Sequence, residues 1–200
     1  MPPARPLLAL TLVLTLCGCD EDDAVSLRLR IEDDFSGEVR ASALAAPGEP
    51  GAVAAAIGGV AWNSEVAIVA AAGSFSSLSD LALADLTLQV GRGEGGLRFL
   101  QITIPRGPET RWPGAFVPLD GGERTRAAAA LDPSGRAKDV GKNLKIELDL
   151  PDVVVGNGVS NRARGVRAKE EGEVATLLVP LEVGRTAGDA IVWHVTWQAD

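Results

Sequence analysis

The chain has very little of several residue types that mark common classes of protein. It contains no tyrosine, one histidine, one methionine and two cysteines, and aromatic residues make up 4% of it. Both cysteines, Cys17 and Cys19, lie near the N-terminus, which excludes the disulfide framework of many small secreted domains. The sequence also contains no apolar run of about 20 residues, the length that a membrane-spanning helix needs.

The N-terminal residues have the pattern of an export signal. Residues 1–5 carry one arginine and no acid, and residues 6–16 form an uncharged apolar run of signal-peptide length. Leu16-Cys17-Gly18-Cys19 follows and resembles the lipobox of bacterial lipoproteins, in which a small residue precedes the cysteine that receives a diacylglyceryl group. We therefore expect residues 1–18 to be a lipoprotein signal peptide and Cys19 to be lipidated, with fatty acids such as palmitate. An ordinary secretory signal with two incidental cysteines is the alternative.

The residues after Cys19 are acidic. Asp20 to Asp23 reads DEDD, which predicts a hydrated tether over residues 19–24 rather than a metal site. Cleavage would remove one arginine from a chain of formal net charge −8, leaving the mature protein at −9. This acidity argues against nucleic acid and anionic lipid headgroups as partners. Residues 25–200 are expected to be a single ectodomain outside the cytoplasm, on the inner or the outer membrane.

Alternation of apolar and polar side chains predicts many β-strands. Residues 25–32 and 38–45 are expected to form a hairpin around the turn DDFSG at 33–37. Further strands are predicted at 65–72, 86–90, 97–104, 143–150, 164–169, 173–183 and 190–197, with a tight hairpin at 170–173. The Ala/Gly/Pro-rich stretch 46–59 predicts a loop.

One helix is predicted. Asp120 and Glu123 have capping-box spacing ahead of residues 124–131, and Asp132-Pro133 is expected to end the helix. Ser77 and Asp80 predict a short helical turn, whereas residues 105–119 contain four prolines and are expected to be irregular. The fold class predicted is α+β, with a mostly antiparallel, curved β-sheet and one clear α-helix.

The four tryptophans are predicted to be core residues rather than a carbohydrate-stacking surface; they are Trp62, Trp112, Trp193 and Trp197. In the last strand Ile191, Trp193, Val195 and Trp197 share one face. His194 lies on the opposite face and is expected to be exposed.

No catalytic, metal or cofactor site is predicted. Gly91, Gly93 and Gly96 spell GxGxxG, but strand-like residues follow instead of the helix that dinucleotide binding requires, so a hairpin loop is expected. His194 has no activated nucleophile in the sequence to act upon. The carboxylate pairs Asp33/Asp34 and Glu170/Glu171 lie in predicted turns, where hydration explains them. The chain is therefore interpreted as a non-enzyme.

Two segments resemble the ectodomains of LppM-type lipoproteins. Cys19, an acidic spacer, the strand VSLRLRIE and the turn DDFSG match the start of that family. Leu150-Pro151-Asp152, Asn157-Gly158 and Ile191-Val192-Trp193 follow the order of motifs near its end, with Asp152 where the family has glycine. The matching stretches cover roughly a third of the chain. The resemblance implies an ectodomain with an apolar cavity that contacts envelope lipid or glycolipid, and it supplies no catalytic residues.

These observations give two hypotheses for function. The first is a membrane-anchored, non-enzymatic envelope lipoprotein that binds lipid or glycolipid on a sheet surface or in an apolar cavity. The second is a structural or assembly accessory that docks onto another envelope protein through a strand edge.

Overall fold

A computed structural model describes residues 24–45, 59–61, 67–117, 120–131 and 141–198. These residues contain eleven strands: β1 Ser26–Ile31, β2 Gly37–Ala45, β3 Gly59–Ala61, β4 Ala67–Phe75, β5 Thr87–Arg92, β6 Leu97–Ile104, β7 Asn143–Asp149, β8 Val154–Ser160, β9 Arg167–Glu171, β10 Val174–Pro180 and β11 Ile191–Gln198. The helices are α1 Trp112–Phe116, α2 Gly121–Leu131 and α3 Leu181–Arg185. Signal residues 1–18, Cys19, Asp20 to Asp23, residues 46–58, Trp62 and Asp132-Pro133 lie outside the described residues.

The strands form two sheets. The seven-stranded sheet has the order β3-β4-β2-β1-β7-β10-β9, and the four-stranded sheet has the order β5-β6-β11-β8. Strands β1 and β7 are parallel, and every other pair in the described part is antiparallel. The predicted mostly antiparallel architecture is confirmed, but the described residues contain three helices where one was expected, and the strands divide between two sheets where one was expected.

The two sheets bury one face each in the same hydrophobic core. Alternate residues of β1 (Leu27, Leu29 and Ile31) pack in one cluster with alternate residues of β6 and β11. Trp112, Trp193 and Trp197 are each 0% exposed and belong to this cluster, so these three are core residues as predicted. The buried face of β11 holds Ile191, Trp193, Val195 and Trp197, and His194 is exposed, which confirms the predicted alternation.

Both predicted hairpins are present. The β1–β2 hairpin pairs Ile31 with Gly37 around the turn, where the N–H of Glu32 donates to the carbonyl oxygen of Ser36 at 2.8 Å. The β9–β10 hairpin pairs Glu171 with Val174, and Gly172 between them adopts a φ of 60°, a conformation that glycine reaches without steric cost.

The capping box of α2 closes as predicted. The N–H of Glu123 donates to Asp120 Oδ1 at 2.7 Å, and the N–H of Asp120 donates to Glu123 Oε2 at 3.0 Å. This reciprocal pair satisfies two backbone donors that the first turn of a helix leaves free. The short helical turn near Ser77 is also present as a 3-10 turn over Leu78–Asp80.

The prediction that residues 105–119 are irregular is wrong at α1. Pro113 lies in the first turn of this helix, where the missing N–H of proline costs nothing. The cap comes from a distant residue, because Asp85 accepts the backbone N–H groups of Arg111 and Trp112, both at 2.8 Å. A cap 26 residues away cannot be recognised from local sequence.

Replacing Asp85 with alanine should therefore lower the free energy of unfolding by about 1–2 kcal/mol, the usual cost of losing a helix cap. Chemical denaturation measures this value. Asp80→Ala is a matched control, because Asp80 is an exposed acid in the neighbouring turn. Equal stability of the two variants would contradict the assigned role of Asp85.

Strand β8 is also not predicted by the sequence. Its residues read VVGNGVS, which lacks the alternation of apolar and polar side chains that predicts a strand. Pairing with β11 fixes it instead, and a bulge occurs where Thr196 faces Gly156 but Trp197 faces Val154.

Candidate binding face on the four-stranded sheet

The outward face of the four-stranded sheet carries no lysine, arginine, aspartate or glutamate. Cross-strand pairing places its residues in rows. The face consists of Thr87, Gln89 and Gly91 of β5, Leu97, Phe99, Gln101 and Thr103 of β6, Val192, His194, Thr196 and Gln198 of β11, and Gly156, Gly158 and Ser160 of β8. We call these residues the candidate binding face. In a chain of which 23% is charged, such a continuous uncharged surface is a distinctive feature.

The outward face of the seven-stranded sheet, in contrast, carries many charged side chains. Its strands present charged residues in adjacent rows, and these pair with one another. Arg28 Nε lies 3.2 Å from Glu147 Oε1, and Lys145 Nζ lies 3.4 Å from Glu147 Oε2. Arg40 Nη2 lies 3.7 Å from Glu38 Oε2. Paired charged side chains thus lie on the outer face of the seven-stranded sheet.

A row of polar side chains crosses the centre of the candidate binding face. Gln89 of β5 faces Gln101 of β6, which in turn faces His194 of β11. Gln101 Nε2 donates to Gln89 Oε1 at 3.5 Å and to Thr103 Oγ1 at 3.3 Å. Amide and hydroxyl groups both donate and accept hydrogen bonds, and this row therefore offers both kinds of group to a ligand.

Phe99 is the aromatic residue of this face and is 37% exposed. Its ring lies over Gly91, where an added Cβ would overlap the ring of Phe99. On β11, Thr196 covers Gly156 of β8 in the same way, so that an added Cβ would overlap the Thr196 hydroxyl oxygen. The two glycines therefore allow Phe99 and Thr196 to lie flat along the sheet.

The large hydrophobic side chains exposed in the described part of the chain all belong to one end of this sheet. They are Leu97, Phe99, Val153 and Val155, with Val153 and Val155 51% and 57% exposed. Leu97 faces Gln198, and Val155 lies at the bulge of β8 beside Thr196 and Trp197. An apolar border therefore flanks the polar row.

The β1–β2 turn packs against the inner side of the same sheet. Phe35 has a φ of 67°, and its ring meets Trp197 edge-on at 6.1 Å. Arg98, whose side chain is 14% exposed, lies over the Phe35 ring at 5.6 Å and 3.3 Å from Asp33. Hydrogen bonds from the hydroxyl and backbone N–H of Ser36 hold the pKa of Asp34 below its usual range. Asp33 and Asp34 are exposed turn residues, as the sequence predicts, but each also has a protein partner that was not predicted.

The glycine motif and the Glu170/Glu171 pair noted in the sequence have structural positions in or near hairpins. Gly91 pairs with Phe99 at the end of β5, Gly93 and Gly96 lie in the connection, and β6 follows it directly, so the predicted hairpin is confirmed. Glu170 and Glu171 are exposed at the β9–β10 hairpin. Within the described ranges, no three His, Cys, Asp or Glu side chains are placed to hold a metal ion.

Two surface clefts are lined mainly by charged or polar side chains. One, of about 210 Å³, lies among Arg28, Arg30, Glu38, Arg40 and Asp149. Another, of about 360 Å³, is lined by Arg124, Lys142, Asn143, Gly165, Arg167, Leu178, Pro180 and Glu182. Neither lining suits an acyl chain.

The candidate binding face was not predicted from the sequence, although the sequence contains part of the pattern that defines it. The outward positions of the strands at 97–104 and 190–197 are uncharged, and this can be read by alternation. That the two strands are neighbours cannot be read, because a long segment separates them in the chain.

Among the helices that the structure describes, none is both long and apolar enough to cross a membrane.

Comparison with known proteins gives no relative for this chain: no family model, no curated protein and no solved structure matches it.

Proposed function

We propose that the chain is a membrane-anchored, non-enzymatic lipoprotein of the bacterial envelope whose ectodomain binds glycolipid through the candidate binding face. The anchor rests on the Leu16-Cys17-Gly18-Cys19 pattern. The resemblance to LppM-type ectodomains supports envelope lipid or glycolipid as the ligand class. The observation that carries the proposal is the uncharged outer face of the four-stranded sheet.

The composition of this face fits a neutral sugar headgroup. Sugar hydroxyls both donate and accept hydrogen bonds, as do the amides of Gln89 and Gln101 and the hydroxyl of Thr196. The apolar side of a sugar ring can pack on the exposed ring of Phe99. Lysine, arginine, aspartate and glutamate side chains would have to lose their water on binding, and the described strands present none of them on this face.

Binding is tested with the mature chain, its Cys19 changed to Ser, and phosphatidylcholine vesicles with or without a neutral diglycosyl diacylglycerol. We expect saturable binding to the glycolipid vesicles that changes little between low and high salt, since screening weakens only charge–charge attraction. Gln101→Ala and Phe99→Ala should each weaken binding about tenfold, corresponding to about 1.4 kcal/mol. Arg40→Ala, on the outer face of the other sheet, is the control and should bind normally.

Other results would redirect the proposal. Binding of a fluorescent fatty-acyl probe without glycolipid binding would favour an apolar lipid site. Binding that disappears at high salt would point to the arginines at 162, 164 and 167. If the chain binds neither the glycolipid vesicles nor the fatty-acyl probe, at low or at high salt, the second hypothesis is favoured, in which the chain is an accessory that docks onto another envelope protein.

A further inference from the structure

The lining of one cleft is positively charged, although the chain as a whole is acidic. The cleft of about 360 Å³ described above is lined by Arg124 of α2, by Lys142, which directly precedes β7, and by Arg167 of β9. Glu182 of α3 is the one acid among the described residues of the lining. The charged lining therefore carries a formal charge of 3 − 1 = +2, in a chain whose net charge is −8. We call it the cationic cleft.

Two of the three cations in the cationic cleft have no partner in the part of the chain that the structure describes. The guanidinium groups of Arg124 and Arg167 make neither an ion pair nor a hydrogen bond there. In the cleft of about 210 Å³, by contrast, Arg28 already pairs with Glu147 at 3.2 Å and with Asp149 at 3.4 Å. The fork of N–H donors on a guanidinium matches the oxygens of a phosphate group. Arg124 and Arg167 can therefore bind a phosphate without first giving up a carboxylate.

The loop before β9 extends this positive charge. Residues 161–167 read NRARGVR, with three arginines and no acid. Gly165 of this loop lines the cleft, and Arg164 beside it is exposed. Arg162 Nε donates to the carbonyl oxygen of Val166 at 2.8 Å, which ties the two ends of the loop together. An anion at the cleft therefore meets a locally positive surface.

The cationic cleft lies at the end of the domain where the proposed tether enters. Strand pairing places Ser26, the first residue of β1, in one row with Lys145 of β7, Leu178 of β10 and Arg167 of β9. Three strand spacings separate the first and last residues of this row, a distance of about 14 Å. Residues 19–25 span at most about 25 Å when fully extended. A chain anchored at Cys19 therefore holds the cleft within reach of its own membrane.

We propose that the cationic cleft binds the phosphate group of an anionic phospholipid in the membrane that carries the anchor. Net charge opposes adsorption of the whole acidic surface, but salt screens charges beyond about 8–10 Å, so the local lining decides what binds at contact. Basic residues beside a membrane attract anionic lipid in this way. Phosphate in solution has the same chemistry, and the position of the cleft at the tether end favours the headgroup.

This site is separate from the candidate binding face, because Arg167 belongs to the seven-stranded sheet and that face to the four-stranded sheet. Its orientation toward the membrane rests on the proposed anchor at Cys19. The charge and geometry of the cleft do not, since they depend only on the ectodomain. A chain that binds no glycolipid could therefore still bind phosphate here.

The test uses the mature chain with Cys19 changed to Ser, which removes the contribution of the acyl chains, and vesicles without glycolipid. We expect the chain to cosediment with vesicles of equal parts phosphatidylcholine and phosphatidylglycerol, and its binding to fall as salt is added. Vesicles of phosphatidylcholine alone should bind little, because the choline cation offsets the phosphate. Arg124→Gln together with Arg167→Gln should weaken binding about twenty-fivefold, since each basic residue near an anionic membrane contributes about fivefold.

Arg30→Gln together with Arg40→Gln is the matched control, because it removes the same charge from the outer face of the same sheet, outside the cationic cleft. It should weaken binding less than about twofold. Glu182→Gln removes the one acid of the described lining and should strengthen binding about threefold. Inorganic phosphate should displace the chain from the mixed vesicles more effectively than sodium chloride of the same ionic strength.

Equal weakening by the two double variants, or absence of binding to the mixed vesicles, would overturn the proposal. If the thermal midpoint shows that the double variant at the cleft does not fold, Glu182→Gln decides, and unchanged or weaker binding by this variant would overturn it. Binding of inorganic phosphate without binding to the mixed vesicles would overturn the headgroup as the source. Each of these outcomes leaves the proposed function in place, because no vesicle in the test contains a glycolipid.

Discussion

Replacing Trp193 with alanine should lower the free energy of unfolding by about 3–5 kcal/mol, the usual cost of truncating a buried aromatic side chain. Trp193 is 0% exposed and lies in the centre of β11, opposite Ile102 on one side and Val159 on the other. Its Nε1 donates to Asn157 Oδ1 at 2.7 Å. Truncation therefore removes core volume and leaves a polar group of β8 without its partner.

Urea denaturation of Trp193→Ala, Trp193→Phe and His194→Ala measures this loss. The phenylalanine variant retains most of the volume and loses the hydrogen bond, so it should fall between the alanine variant and the parent. His194 adjoins Trp193 in sequence but is exposed, and its replacement should change stability by less than about 0.5 kcal/mol. A denaturation midpoint that Trp193→Ala leaves unchanged would contradict the packing described for β11.

Replacing Cys19 with alanine should abolish acylation and release the ectodomain from the membrane fraction. A single apolar signal of eleven residues cannot hold the chain in a bilayer, and two or three acyl chains are what give stable attachment. Labelled palmitate followed by membrane fractionation measures both effects. In an intact-mass spectrum, the unaltered mature chain should begin at Cys19 with a diacylglyceryl adduct.

Cys17→Ala is the matched control, since Cys17 lies two residues earlier and is removed with the signal. It should leave acylation and membrane attachment intact. Equal palmitate in the Cys19→Ala chain, or loss of palmitate from the Cys17→Ala chain alone, would contradict the assignment of the lipidated residue.

The local pattern of residues was sufficient to predict much of the fold. Period-two alternation identified β1, β6 and the buried face of β11, where Trp193 and Trp197 pack as expected. The reciprocal spacing of Asp120 and Glu123 identified the start of α2, because the cap and its partner lie three residues apart. In each case the residues that carry the signal lie within a few positions of one another in the sequence.

The remainder depends on contacts between distant residues. Helix α1 is capped by Asp85, and β8 is held as a strand by β11, so neither has a sufficient local signal. The division into two sheets depends on which strands become neighbours, and the parallel pair joins Ser26 to Lys145 across the length of the domain. Predicting the candidate binding face likewise requires knowing which strands are neighbours, since its uncharged rows appear only when β5, β6, β11 and β8 are aligned.

The position of β1 determines how the domain responds to a mechanical load. This strand follows the proposed tether and lies inside the seven-stranded sheet, between β2 and β7. A pull through the proposed lipid anchor would enter the domain at β1, which two ladders of hydrogen bonds hold, one to β2 and one to β7. An edge strand such as β9 is paired on one side, with β10. Forced unfolding is governed by the barrier to rupture, so entry through a central strand should raise the force that the domain withstands.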